Sequence, residues 1–350
     1  MNSRSCLLIL SVILSLCCSL SGLSQTTIVL DHPINGKDYS QVISCHFDQT
    51  RCSQKGTDTE VQVILMAGEW TINSTISLTY RDQLILDYGA SIVRAQCRTT
   101  EPLIHLKGKY SAVIGKSKNL IKSKCNNLQD GIIKIGHSSA TSRGNLISCQ
   151  VQNLLIQGPT DLIPTIKNGY SNRAFDQITG IYIYSNQNEP NQKHLTASYY
   201  HTLRDIDIAF VSTGVHFYNS TACTLDNILL NRVGIHGGHG ILIQGGLENK
   251  ISNVHHGYSP NANSLSFTQS RYSYDPSFNT VVNYVVEIGK MKGDLARING
   301  GGHCINIDVD PQDFYNNTIT IGCNHPTSPK LRSGKSMSDY QTKSNRSVIK

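Results

Sequence analysis

The apolar positions of this chain recur in short sextets rather than in long helical stripes. LRDIDI (203–208), LDNILL (225–230) and ISNVHH (251–256), with an earlier copy VQNLLI (151–156), place apolar residues first and fourth. The second position is polar and the third is Asn or Asp. Neither a 3.6-residue helix nor plain alternation has this pattern. It reads as strand, corner, strand, and its recurrence predicts a stack of similar turns, a solenoid. Parallel turns stack at about 4.8 Å, so equivalent positions become ladders. Leu203, Leu225 and Ile251 are expected to line the interior, as are Ile206, Ile228 and Val254. Asn153, Asp205, Asn227 and Asn253 are expected at a corner, because Asx residues tolerate unusual backbone angles.

A second series supports the stack. GIIKI starts at Gly131, GIYIY at Gly180, GVHFY at Gly214, GILIQ at Gly240 and CINID at Cys304; aligning them on their first residues gives one strand per turn. Earlier strands are expected within 61–78, 83–93 and 103–115, where β-branched runs are broken by Gly, Asp and Asn. The long intervals 157–202 and 257–303 require loops or a degenerate turn such as TVVNYVVEIG (280–289). No amphipathic helix of ten or more residues is apparent in the mature part of the chain.

The run VILMAGEWTINSTISLTYRDQLILDYGASIV (63–93) resembles the opening rungs of pectate-lyase-type proteins, in which an apolar strand, a Gly-containing turn and a second apolar strand recur. The resemblance spans roughly 61–323. It implies an all-β fold, a single-stranded right-handed parallel β-helix, and activity on a polysaccharide. Lyases, hydrolases, epimerases, tailspikes and adhesins share these motifs, so the fold does not specify the function. The acidic D-G-x-x-D-D-T stretch of many relatives is missing. GGHGILIQGG (237–246) is similar to the Gly-His-Gly element of polygalacturonases, with His239 in the histidine position. Inverting hydrolysis also needs two carboxylates, but the corresponding positions hold Ile178, Thr179, Ser212 and Thr213. A lyase needs a cation facing the uronate carboxylate and a base for the adjacent proton.

Outward positions of the sextets offer Arg204, Asp207, Asp226 and His255 as candidate catalytic residues, together with Arg232 and His239. Arg204 and Asp226 share a column on successive turns, as a catalytic pair or as an exposed ion pair of little energetic weight. Leu229 separates Asp207 from His255. His216, His236, Tyr182 and Tyr218 are candidate substrate contacts, since aromatic faces suit sugar rings and tyrosines are numerous, 16 against one Trp. His303 adds to the histidines of this region, but no metal-ligand spacing accompanies them. Asp308, Asp310 and Asp313 in INIDVDPQD could hold calcium, although the turn glycine of a standard calcium loop is absent.

The ends of the chain set the compartment. Residues 1–24 combine one Arg, an apolar run from Cys6 to Cys18 and small polar residues, the pattern of a secretory signal peptide too short to span a bilayer comfortably. Residues 25–60 are expected to cap the first turn, 61–323 to form the stack, and 324–350 to be a basic disordered tail. The tail contributes much of the net charge of +7. Removing the signal leaves an even number of cysteines, which in an exported chain suggests disulfides. On proximity, Cys45–Cys52 and Cys304–Cys323 are the simplest pairs. Sequons at Asn73, Asn219, Asn316 and Asn345 agree with a eukaryotic secretory route. The function classes left are a secreted lyase or hydrolase on acidic or cell-wall glycans, and a non-catalytic carbohydrate-binding, adhesin-like or structural protein. The partner is an extracellular polysaccharide, with neither nucleic acid nor membrane insertion expected.

Overall fold

The computed structural model describes residues 25–48, 60–97, 99–128, 130–136, 145–160, 178–186, 197–234, 238–257, 263–268, 279–287, 290–292, 295–297, 307–309, 318–319 and 348–349. Within them the fold is nearly all parallel β with one helix. The chain alternates between two large sheets, so neighbours in each sheet come from successive turns. The longer sheet runs from Gln25–Leu30 and Glu60–Leu65 through Gln150–Gln157, Thr202–Ala209, Thr224–Asn231 and Lys250–Gly257 to Thr280–Glu287. The second runs from Ile76–Leu78 through Ile133–Ile135, Thr179–Tyr184, Thr213–Tyr218 and His239–Gln244 to Asn263–Thr268 and Ile307–Val309. Of the stretch 324–350, only Val348–Ile349 is described; it pairs with Thr318–Ile319.

The sextets lie in register as their spacing requires. Leu203 faces Leu225, which faces Ile251, and Ile206 faces Ile228, then Val254. All six are at most 2 % exposed. At the third position of each sextet the chain bends, with φ of +55° at Asn153, +56° at Asp205, +55° at Asn227 and +54° at Asn253. Asx side chains reach this left-handed region at lower cost than bulkier residues. The bend interrupts the pairing at that one position while the residues on both sides of it keep their parallel partners.

The glycine alignment of the second series needs correction in two places. Ile133, not Ile132, stands opposite Ile181, and Ile307, not Ile305, stands opposite Leu265. The first correction is a slip of one residue, which exchanges the inward and outward side chains of a strand. Lys134 therefore points away from the interior, beside Tyr182. Around Gly131, φ is +90° and the Ile132 N–H donates to the carbonyls of Thr179 and Gly180, which sets the offset.

Residues 40–47 form the helix, Ser40–Phe47, which buries Ile43 and Phe47. Tyr39 meets Trp70 edge-on at 4.9 Å, and the Trp70 indole N–H donates to the Met66 carbonyl. Cys97 is bonded to Cys125 across 5.2 Å between Cα atoms, a pairing that proximity in sequence did not suggest. Cys45 is also disulfide-bonded, to a partner outside the described residues. Cys149 and Cys223 are free and buried.

These two thiols belong to a column the hydropathy pattern did not reveal. The residues just before successive strands of the long sheet are Asp82, Ser111, Cys149, His201, Cys223, Asn249 and Asn279, each 0 % exposed. The carbonyls of the first six accept in turn from the N–H groups of Ala112, Gln150, Thr202, Thr224, Lys250 and Thr280 where the next turn begins. Side chains complete the column. His201 Nδ1 accepts from the Cys149 N–H at 3.0 Å and its Nε2 lies 2.7 Å from Ser198 Oγ. Asn279 Oδ1 accepts from both the N–H and Nδ2 of Asn249 at 2.9 Å.

His256 occupies an interior column otherwise made of Ile156, Ile208 and Leu230. It is 1 % exposed; Nε2 reaches the Val233 carbonyl at 3.3 Å and Nδ1 is buried without a hydrogen-bond partner. Burial pushes its imidazole down to about 4. Below an ordinary pKa near 6.5 the unfolded chain binds a proton that the folded chain refuses, so stability falls as pH drops from about 6.5 towards 4. His256→Leu should raise stability by about 1–2 kcal/mol at neutral pH by removing the orphaned nitrogen. It should also flatten the decline in Tm below pH 6.5, read by thermal melts across that range; an unchanged slope would show that His256 does not carry it.

Candidate functional site

Alternation along the strands of the second sheet turns Ile181 and Ile183 inward and Tyr182 and Tyr184 outward. Register extends these outward positions across turns. One column holds Lys134, Tyr182, His216, Leu242 and Ser266; the next holds Tyr184, Tyr218 and Gln244. The rings meet closely. Tyr182 and His216 have centroids 4.8 Å apart, and Tyr184 stacks on Tyr218 at 5.5 Å with 17° between planes. Lys134 Nζ stands 5.6 Å from the Tyr182 ring and 5.4 Å from the Tyr184 ring, and pairs with Asp130 at 2.5 Å.

Burial keeps two imidazoles of this face, His216 and His105, neutral. His216 Nε2 lies 3.2 Å from Gln244 Oε1, an acceptor, so that nitrogen carries the proton. Burial pushes the His216 imidazole down to about 4, partly opposed by that hydrogen bond and reinforced by nearby His239. His105, beside Lys134 in the same column, donates from Nε2 to the Gly136 carbonyl at 2.6 Å; burial takes it to about 4 as well. His239 Nδ1 is 2.7 Å from Ser266 Oγ. This face thus joins half-buried Tyr182, Tyr184, His216 and Gln244 with Lys134, Tyr218 and Ser266, which are buried, Lys134 at 7 % exposure. Such a surface can stack on the apolar face of a sugar and hydrogen-bond its hydroxyls, while the ammonium attracts a carboxylate.

The sequence candidates divide among separate faces. Tyr182, Tyr218, His216 and His239 gather on the second sheet; His236 lies outside the described residues. Arg204 and Asp226 do share a column of the long sheet, Nε to Oδ2 at 3.6 Å, with Asp205 Oδ2 at 3.8 Å. Ser252 Oγ and Asn253 Nδ2 donate to Asp226 Oδ1 at 2.7 and 2.9 Å and hold its carboxyl below the usual range. With the Arg204 side chain 59 % exposed, this is a surface network of small energetic weight. Beyond the Asx bend, Leu229 separates Asp207 from His255, and Asp207 pairs with Lys118 at 2.6 Å. Arg232 lies over the Phe210 ring, 5.3 Å from its centroid, in the turn after Thr224–Asn231.

At the register position of His239, the two preceding turns carry Thr213 and Thr179. Ser212 Oγ donates to the Ile178 carbonyl at 2.6 Å. Paired carboxylates for inverting hydrolysis are therefore absent from those positions. Asp308 pairs in register with Ser266, while Asp310 and Asp313 lie outside the described residues. Among the described residues, three or more His, Cys, Asp or Glu side chains do not come together in a way that suits a metal ion. Lys134 and Asp130 are not among the sequence candidates, whereas Tyr184 belongs to the run of tyrosines in the repeat region. The signal for Lys134 lies in GIIKI, which alignment on Gly131 places one residue out of register.

No family model matches the chain, and no curated protein matches it in sequence. Two solved structures resemble it loosely. A candidate glycosyl hydrolase from Parabacteroides merdae superposes with a TM-score of 0.39 and 9 % identity, over 73 % of this chain and 94 % of the other. The A-module of the mannuronan C-5 epimerase AlgE4 from Azotobacter vinelandii gives 0.30 and 8 %, over 90 % of this chain and 96 % of the other.

The neutral state of the face is directly measurable. Side-chain 15N shifts of His105 and His216 should keep neutral-ring values down to about pH 5; a titration midpoint near 6.5 for either would contradict the burial that encloses them.

Proposed function

We propose that this chain is a secreted, single-stranded right-handed parallel β-helix that binds an acidic extracellular polysaccharide on the outward face of its second sheet. The observation that carries this reading is Lys134 beside the Tyr182 and Tyr184 rings, with Tyr218 stacked on Tyr184 and His216 tilted against Tyr182. Rings offer stacking area and the ammonium offers charge to a uronate. Stacking of turns in constant parallel register supports the β-helix, and the leader-like residues 1–24 support export. No helix among the described residues is long and apolar enough to cross a membrane.

A second reading, polysaccharide lyase, rests on His239. With Ser266 beside it, His239 offers a base of the kind β-elimination needs, whereas Lys134 stands three turns away in register and does not share one sugar with it. Hydrolysis by paired carboxylates has no such support.

Affinity electrophoresis in gels containing polygalacturonate tests the binding reading. The wild-type chain should be retarded, and Lys134→Gln and Tyr184→Ala should each weaken retardation about tenfold, the equivalent of about 1.4 kcal/mol. A neutral glucan should retard it less. Free mobility in every acidic glycan would end the proposal, and new unsaturated products, lost in His239→Ala, would move it to the lyase.

Export has its own test in the two described sequons. Asn73 is partly exposed, whereas Asn219 is 3 % exposed with both amide atoms buried and without hydrogen-bond partners. A glycan needs access to the amide nitrogen. Protein from a eukaryotic secretory host should carry a glycan at Asn73 and none at Asn219 by peptide mass spectrometry; folded protein glycosylated at Asn219 would contradict the structure there.

A further inference from the structure

A second column of left-handed backbone positions precedes the long sheet. It comprises Arg81 at φ +58°, Tyr110 at +61°, Ser148 at +55°, Tyr200 at +57°, Ala222 at +54° and Glu248 at +54°. The N–H groups of Arg81, Tyr110, Ser148, Tyr200 and Ala222 donate to the carbonyls of Lys109, Ile147, Tyr199, Thr221 and Leu247 on the following turn. The task of this position is a main-chain one. Ser, Ala and Glu perform it at other turns, so the backbone does not call for an aromatic ring.

Tyrosine nevertheless occupies it twice. A bulky side chain in the left-handed region is strained, and such strain is tolerated where something else over-determines it. Core packing does not supply that reason, because Tyr110 is 45 % exposed and Tyr200 is 61 % exposed. The neighbouring residues make the corner more aromatic and cationic. Tyr80 meets Tyr110 edge-on at 6.1 Å, and the Arg81 guanidinium lies 5.2 Å from the Tyr80 ring and 5.7 Å from the Tyr110 ring. Tyr199 lies 6.0 Å from Tyr200, and Lys109 is exposed on the turn of Tyr110.

We propose that this corner, with Tyr80, Arg81, Tyr110, Tyr199 and Tyr200, is a second contact surface for an anionic polysaccharide, separate from the face of the second sheet. Exposed tyrosine rings stack on sugars whatever their linkage, and Arg81 and Lys109 match uronate or sulfate charge. Tyr110 and Tyr200 are two turns apart, about 9.6 Å along the stack, so one polymer chain can touch both while a single sugar cannot. The inference rests on the proposal that the partner is a polysaccharide.

Asparagine relieves the backbone and removes the ring, so Tyr110→Asn with Tyr200→Asn separates structure from binding. The double variant should melt at the wild-type temperature or above it. Its retardation by long-chain polygalacturonate should weaken about tenfold, while its affinity for monomeric galacturonate stays at the wild-type value. Arg81→Asn should weaken the polymer interaction and reduce its salt dependence. A lower Tm in the double variant would mean that the tyrosines serve packing and would overturn the proposal. Unchanged retardation of the double variant, with Tyr184→Ala still impaired, would remove the corner alone. A wild-type chain that no acidic glycan retards would remove both surfaces.

Discussion

Each face of this protein depends on one constraint. Successive turns must meet in parallel at constant register, so that the open N–H and C=O edge of one turn is satisfied by the next. A turn can repeat only if its corners repeat, which is why left-handed backbone angles recur in columns. Asn153, Asp205, Asn227 and Asn253 hold one corner within 2° of each other. Arg81, Tyr110, Ser148, Tyr200, Ala222 and Glu248 hold another within 7°. Between the corners, aliphatic columns fill the interior and leave alternate side chains facing outward. A side chain on one outward column meets its counterpart on the next turn, so chemistry accumulates along columns rather than around a single loop.

How far this was legible depends on the chemistry of each column. The Asx corner could be read from sequence because its residues are those that tolerate the bend. The aliphatic ladders followed from spacing, and so did the Arg204–Asp226 pair. The buried column from Asp82 to Asn279 was not legible. Its residues share a main-chain task but no hydropathy, and Cys149, His201 and Asn249 have little in common until their hydrogen bonds are seen. Lys134 was lost for a different reason. Gly131 looked like the start of a repeat, but its turn places the following strand one residue later, and in a strand one residue decides between core and surface.

That single slip changes the view of the site. With Lys134 turned inward, the tyrosines of the second sheet would be an uncharged patch, and the attractive candidates would be the charged residues of the sextets. With Lys134 outward, the cation stands beside the tyrosine rings, paired with Asp130, while Arg204 pairs with Asp226 and Asp207 with Lys118 on the long sheet. His239 keeps its place beside Ser266, but threonines stand where a hydrolase would carry its acids. Holding an acidic chain, rather than cleaving it by water, is the function proposed from this arrangement.

A crystal structure of the protein with a bound acidic oligosaccharide tests this most directly. Sugar rings should lie against Tyr184 and Tyr218, with a carboxylate directed at Lys134 and hydroxyls within reach of His216 or Gln244. An oligosaccharide seated instead against Arg204 and Asp226, with the tyrosine face of the second sheet unchanged by the ligand, would contradict the assignment.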